Sequence, residues 1–118
     1  MSEETQLGKI EISPAAIATL AAQAVLQSYG VVGMAPSNLA DELMTALGEA
    51  AHRGVRVHVD GEHIQIDLYV IIEYGTRITS VAHSIMNVVK YNVERALGVS
   101  VAQINIHVQG LRVSNPDA

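Results

Sequence analysis

Two histidines, His58 and His63, flank an Asp60-Gly61 pair. Asp-Gly between two runs of alternating apolar residues signals a hairpin with a type I′ turn. Such a turn pairs Val59 with Glu62 and His58 with His63, with Arg56 and Gln65 next along. The two imidazoles, with Asp60 as a third ligand, could hold zinc. Two firm ligands beside the cation of Arg56 make a poor site, so the expected consequence is electrostatic. Below about pH 6.5 both histidines charge and repel across the hairpin. Asp67 and Glu73 share one face of one strand, but at about 3.3 Å per residue they stand roughly 20 Å apart, too far for an acid–base pair. His83 and Ser84 are helix neighbours and point in different directions. Gly30-Val31-Val32-Gly33 lacks the preceding strand and the lysine of a phosphate loop. The chain has no cysteine, which excludes disulfides, thiolate zinc sites and a cysteine nucleophile. No cofactor is expected, and these residues point to a chain that is not an enzyme.

The elements that must carry these residues read clearly in the 118-residue chain. Ile10 and Ile12 alternate with Lys9 and Glu11 as a short strand. Ser13-Pro14 starts a helix, with Ser13 as cap, running to about Tyr29 and ended by Gly30. Gly30 to Pro36 reads as a turn-rich connector. A second helix is expected over about Asn38–Ala51. Val55, Val57 and Val59 form one arm of the hairpin, and Ile64, Ile66, Leu68, Val70 and Ile72 the other, ended by Gly75. A helix follows from about Ser80 to Leu97 with Gly98 as its left-handed stop. The last strand, about Ser100–Val108, loses its alternation near Ala102, as a bulge or the start of the strand would. The expected fold is α+β, in the order β-α-(α)-β-β-α-β: a sheet of about four strands with helices on one face. Residues 8–113 are expected as one domain, with 1–7 and 114–118 as tails.

Charge and hydropathy limit the function. Twelve acidic residues against seven basic ones give a net charge of −5, which argues against phosphate-backbone binding as the main activity. No stretch approaches the roughly 20 apolar residues of a spanning helix, and residues 1–7 lack the pattern of a signal peptide. The expectation is a soluble, cytoplasmic chain whose link to a membrane runs through a partner, without direct insertion.

Alternation places Lys9, Glu11, Arg56, His58, His63, Gln65, Asp67, Tyr69, Ile71, Glu73, Gln103, Asn105, His107 and Gln109 on the sheet face away from the helices. Single-strand RNA readers stack bases on aromatic residues at such positions. Only Tyr69 fits that role here, so RNA binding is disfavoured. Tyr69 and Ile71 mark a modest protein-contact patch instead. The first helix is apolar nearly all round, so Ala15, Ala18 and Ala22 form a second candidate contact, suited to self-association. Val31, Val32 and Met34 in the connector form a third. Gly30, Gly33 and Glu73-Tyr74-Gly75 are more simply structural, with the Tyr74 ring packed and its hydroxyl bonded locally. A small acyl ligand between the first helix and the sheet is the alternative reading.

Several segments together resemble the bacterial alkaline shock protein family, also called the envelope stress response family. Gly8-Lys9-Ile10-Glu11-Ile12-Ser13-Pro14 is similar to its opening, and Gly30-Val31-Val32-Gly33-Met34 to the turn after its first helix. Gly54-Val55-Arg56-Val57 and Ile66 to Gly75 resemble its central hairpin, ending in Glu73-Tyr74-Gly75. Val99 to Gly110 resembles its closing strand. The likeness covers about residues 8 to 111. It departs where family members often carry a proline after the Glu-Tyr-Gly turn and this chain has Ile78-Thr79-Ser80. The resemblance implies a small cytoplasmic α/β protein without known catalysis or an agreed active site. Some members self-assemble, some bind a membrane-anchored partner, and others are linked to fatty-acid metabolism.

Overall fold

The computed structural model describes residues 2–35 and 54–113. The helix expected over Asn38–Ala51 and the tail expected over 114–118 lie outside the described residues. Six strands and two helices are described: β1 (Ser2–Glu4), β2 (Lys9–Glu11), α1 (Pro14–Leu26), β3 (Val31–Met34), β4 (Val55–Asp60), β5 (His63–Glu73), α2 (Ile78–Leu97) and β6 (Val101–Arg112). The fold is α+β.

β5 is the axis of the main sheet. β6 runs parallel along one of its edges, joined to it through α2. The other edge is shared, with β4 pairing antiparallel to residues 63–68 and β3 to residues 70–72. The connector expected at Gly30–Pro36 is thus in part an edge strand. β4 ends its pairing at Leu68, which leaves the far half of that β5 edge open, and Val31–Met34 fills it. The two half-strands meet at Tyr69, whose N–H donates to the Gly54 carbonyl at 2.8 Å while its carbonyl accepts from Ala35 at 3.0 Å. Gly54 is needed there. Its φ is +80°, and a Cβ would lie 2.7 Å from the Ala35 oxygen and 2.9 Å from that of Tyr69.

The helices cover one face of this sheet. Ser13 caps α1, its Oγ accepting from the Ala16 N–H at 3.2 Å, worth about 1 kcal/mol. α2 begins at Ile78, two residues earlier than expected, and ends at Gly98 in the left-handed conformation. Ile17, Ala21 and Val25 of α1 and Ile85, Val89 and Val93 of α2 meet Ile64, Ile66, Leu68, Val70 and Ile72 of β5 in one aliphatic core. The five β5 residues are fully buried, so the period-two pattern of this strand does name its covered face.

β2 does not join the main sheet. It pairs with β1, Ser2 opposite Glu11 and Glu4 opposite Lys9, in a separate ribbon. Residues 2–4, expected as tail, are therefore a strand, and Lys9 and Glu11 leave the outer face of the main sheet to pair with each other at 2.6 Å. β6 is longer than expected and carries two register breaks. One skips Ala102, where the alternation fails in the sequence, and the other skips Gln109.

Candidate functional site

The outer sheet face has a buried acid at its centre. Asp67 is 8% exposed although neither described helix covers it. Its neighbours on three strands enclose it. Oδ1 accepts from Asn105 Nδ2 at 3.0 Å and lies 3.2 Å from His107 Nε2. Oδ2 accepts from Gln65 Nε2 at 3.2 Å and lies 3.4 Å from His58 Nε2. Burial works against the charged carboxylate. The hydrogen bonds from Asn105, His107 and Gln65, with the charge on His107, outweigh it and hold the Asp67 carboxyl below its ordinary value. The His107 ring stacks on Tyr69, with centroids 4.5 Å apart and planes 11° from parallel.

The register produces this arrangement. Asn105 is the cross-strand partner of Asp67 on β6, and His107 that of Tyr69. On the other side the hairpin differs from expectation. Asp60 pairs with His63 and His58 with Gln65, so the loop is Gly61-Glu62. Gly61 has φ +62° and among the described residues no non-glycine residue has positive φ, the type II′ pattern with glycine at the first central position. The expected pairing of His58 with His63 is corrected by two residues. His58 turns instead toward Asp67, and His63 is exposed beside Asp60.

Chemically, the site is a polar tie. Four side chains occupy both oxygens of Asp67, leaving little lone-pair capacity for a substrate or water. His58 and His107 approach opposite oxygens rather than a common point. Among the described residues no group of three or more His, Cys, Asp or Glu is placed to hold a metal ion. The sequence placed all five residues on this face, but the tie itself was missed because the adjacency of β5 and β6 and their register are tertiary facts.

The other expected site residues are spread over the fold. Ala18 and Ala22 are buried in the core, at 5% and 7% exposure, and Ala15 is half-buried. The α1 contact surface expected from them is corrected. Packing among α1, α2 and the sheet already uses that side of the helix. Val31, Val32 and Met34 are half-buried in β3, with Val31 and Met34 against the core. Tyr74 is 65% exposed and its hydroxyl has no hydrogen bond among the described residues, contrary to the packed ring expected. Gly30 (φ +85°) approaches α2, where a Cβ would lie 2.8 Å from a Val81 methyl, and its carbonyl accepts from Glu73. Gly75 turns the chain at φ +99°. The space between α1 and the sheet, proposed for an acyl chain, is filled by fully buried side chains. A cleft of about 390 Å³ lies instead between α1 and α2, around Leu20, Gln23, Ala24 and Arg95.

Ile71 completes the outer face. It is half-buried, and its cross-strand partners on both sides are glycines, Gly33 on β3 and Gly110 on β6. Among the described residues, no atom lies within 4 Å of where a Cβ on either glycine would stand.

A family model for the alkaline shock protein 23 family, of cell envelope-related function, matches residues 2–113. The chain belongs to this family. It is 45% identical over 114 residues to the Bacillus subtilis protein YloU, covering 95% of each chain. It is 29% identical over 96 residues to a Streptococcus pyogenes stress response regulator gls24 homolog, spanning 81% of this chain and 52% of that one. Among solved structures, the zinc form of a MamM CTD variant superposes with a TM-score of 0.51 at 14% identity, covering 86% of this chain and 90% of that one. That likeness concerns the fold alone. Among the described residues, no helix of this family member is long and apolar enough to cross a membrane.

Proposed function

We propose that this family member acts in cell-envelope function as a non-enzymatic interaction module, self-associating and docking to a protein partner through the outer face of its sheet. The observation that carries the reading is Ile71 standing between Gly33 and Gly110, with no atom of the described residues within 4 Å of where a Cβ on either glycine would stand. Glycines inside strands mark places where another backbone or a ligand comes close. Here two of them bracket an aliphatic side chain, beside the stacked Tyr69–His107 pair. Asp67, His58 and His107, at the centre of this face, are occupied with one another. What the face offers a partner is shape and apolar surface rather than reactive groups.

The test is solution mass by light scattering across a concentration series, with wild type, Ile71→Glu and Gly110→Val side by side. Neither Gly33 nor Gly110 has positive φ, so valine at 110 adds bulk to the notch without backbone strain. The expected result is a wild-type mass above the 12.6 kDa of the monomer that both substitutions reduce toward it. A wild type that stays monomeric at high concentration refutes self-association. Partner docking is then tested by whether the same two substitutions abolish capture of an envelope protein.

A further inference from the structure

A second surface, away from the outer face, carries a different chemistry. Five large apolar side chains stand exposed at the end of the domain where β5 and β6 finish and α2 begins. They are Tyr29 (80%), Tyr74 (65%), Ile78 (39%), Leu111 (49%) and Val113 (68%). Hydrogen bonds bring these segments together. The Glu73 N–H donates to the Gly30 carbonyl next to Tyr29, and the Tyr74 N–H donates to the Arg112 carbonyl between Leu111 and Val113. Two arginines lie among them, Arg77 at the cap of α2 and Arg112 at the end of β6. Among the described residues neither guanidinium makes an ion pair. In a chain of net charge −5, the described residues at this end carry two cations and one acid, Glu73.

We propose that this end docks edge-on to an anionic lipid surface. Tyrosines with an apolar ring and a polar tip, short aliphatic side chains and arginines are the residues that settle at the boundary between headgroups and acyl chains. A bilayer surface meets all three requirements together: apolar depth for Ile78, Leu111 and Val113, a polar boundary for the two tyrosine hydroxyls, and phosphates for Arg77 and Arg112. A protein partner fits less well. The side chains come from four separate segments; Tyr29 lines a cleft of about 340 Å³ with Arg77 at the start of α2, but Tyr74, Ile78, Leu111 and Val113 stand outside its lining as exposed tips. A second copy meeting this end with its own would set Arg77 and Arg112 against their like. The acidic turn at Asp60 and Glu62 does not oppose the contact. It lies at the far end of β5, about 33 Å away along the strand, several screening lengths at physiological salt. No spanning segment is involved, and the contact is shallow and reversible.

Vesicle co-sedimentation of the full chain tests this. Vesicles of phosphatidylcholine alone are compared with vesicles of equal parts phosphatidylcholine and phosphatidylglycerol, at low and high salt. Wild type is expected to sediment with the anionic vesicles and to be released by salt. Arg77→Gln and Arg112→Gln should each weaken binding about five-fold. Tyr74→Ser with Val113→Ser should reduce it further, with the thermal midpoint unchanged because both side chains are mostly exposed. Wild type that fails to sediment with either vesicle overturns the proposal and assigns the patch to a protein partner. Equal binding by wild type and all the variants overturns it as well.

Discussion

The two faces of β5 bury residues by different means. On the covered face, Ile64, Ile66, Leu68, Val70 and Ile72 are removed from water by the aliphatic side chains of two helices. On the outer face, Asp67 is nearly as buried, yet what encloses it is polar: Gln65, Asn105, His107 and His58. The first kind of burial is non-directional and tolerates many aliphatic sequences. The second depends on donors meeting an acceptor within a few tenths of an ångström, and so on the register of three strands. The outer face thereby fixes register while leaving Ile71 half-buried between two glycines.

That contrast can be broken or sharpened by substitution. The largest loss is expected on the covered face, where Leu68→Ala should cost roughly 2–5 kcal/mol of unfolding free energy. Urea denaturation measures it, and a smaller loss there than at Asp67 would invert the comparison. Gly54→Ala comes next. Its Cβ would press on two carbonyl oxygens at a positive φ, so a loss of roughly 2–4 kcal/mol is expected. A neutral outcome would mean that the β3–β4 junction relaxes freely. Asp67→Ala leaves the donors of Asn105 and Gln65 unpaired and should cost about 1–3 kcal/mol.

The pH dependence separates the charge of Asp67 from its shape. Its carboxyl lies below its ordinary value of 3.8 in the folded chain. The stability it supplies is therefore fully present above that value and is lost as the pH falls through the lower folded-state value. Asp67→Asn should flatten this acid limb in urea titrations between neutral pH and about pH 3. An unchanged limb would show that the tie does not depend on charge. The smallest effect is expected for Tyr69→Leu, which removes the stack on His107 but keeps an apolar side chain. A loss of about 0.5–1 kcal/mol by thermal melting is the expected value.

Much of the fold was legible from local pattern. Ser13-Pro14 marked the start of α1, Gly98 the stop of α2, and the broken alternation at Ala102 a register break. Each of these is decided by a residue's own backbone or by its near neighbours. The candidate site was legible only in its membership. Alternation put Asp67, Asn105, His107, Gln65 and His58 on one face, but nothing along the chain says that residues 67 and 105 are cross-strand partners. The connector failed for a related reason. Val31–Met34, with a glycine inside and another before it, looks like a turn until the second half of β5 offers an unpaired edge. Ala18 and Ala22 failed because a small apolar residue reads the same whether it meets a helix of its own chain or one from another.

The sequence by itself determined the family, the composition of the aliphatic core, the start of α1, the stop of α2 and the covered face of β5, because these follow from side-chain chemistry at short range. Only the tertiary structure decided the hairpin register, the polar enclosure of Asp67, the glycine-bracketed Ile71, and the gathering of Tyr29, Tyr74, Ile78, Leu111 and Val113 at one end. Those depend on which strands lie side by side and with what offset. Long-range pairing sets both, and moving one turn by a single residue shifts the partner of every residue on the strand by two.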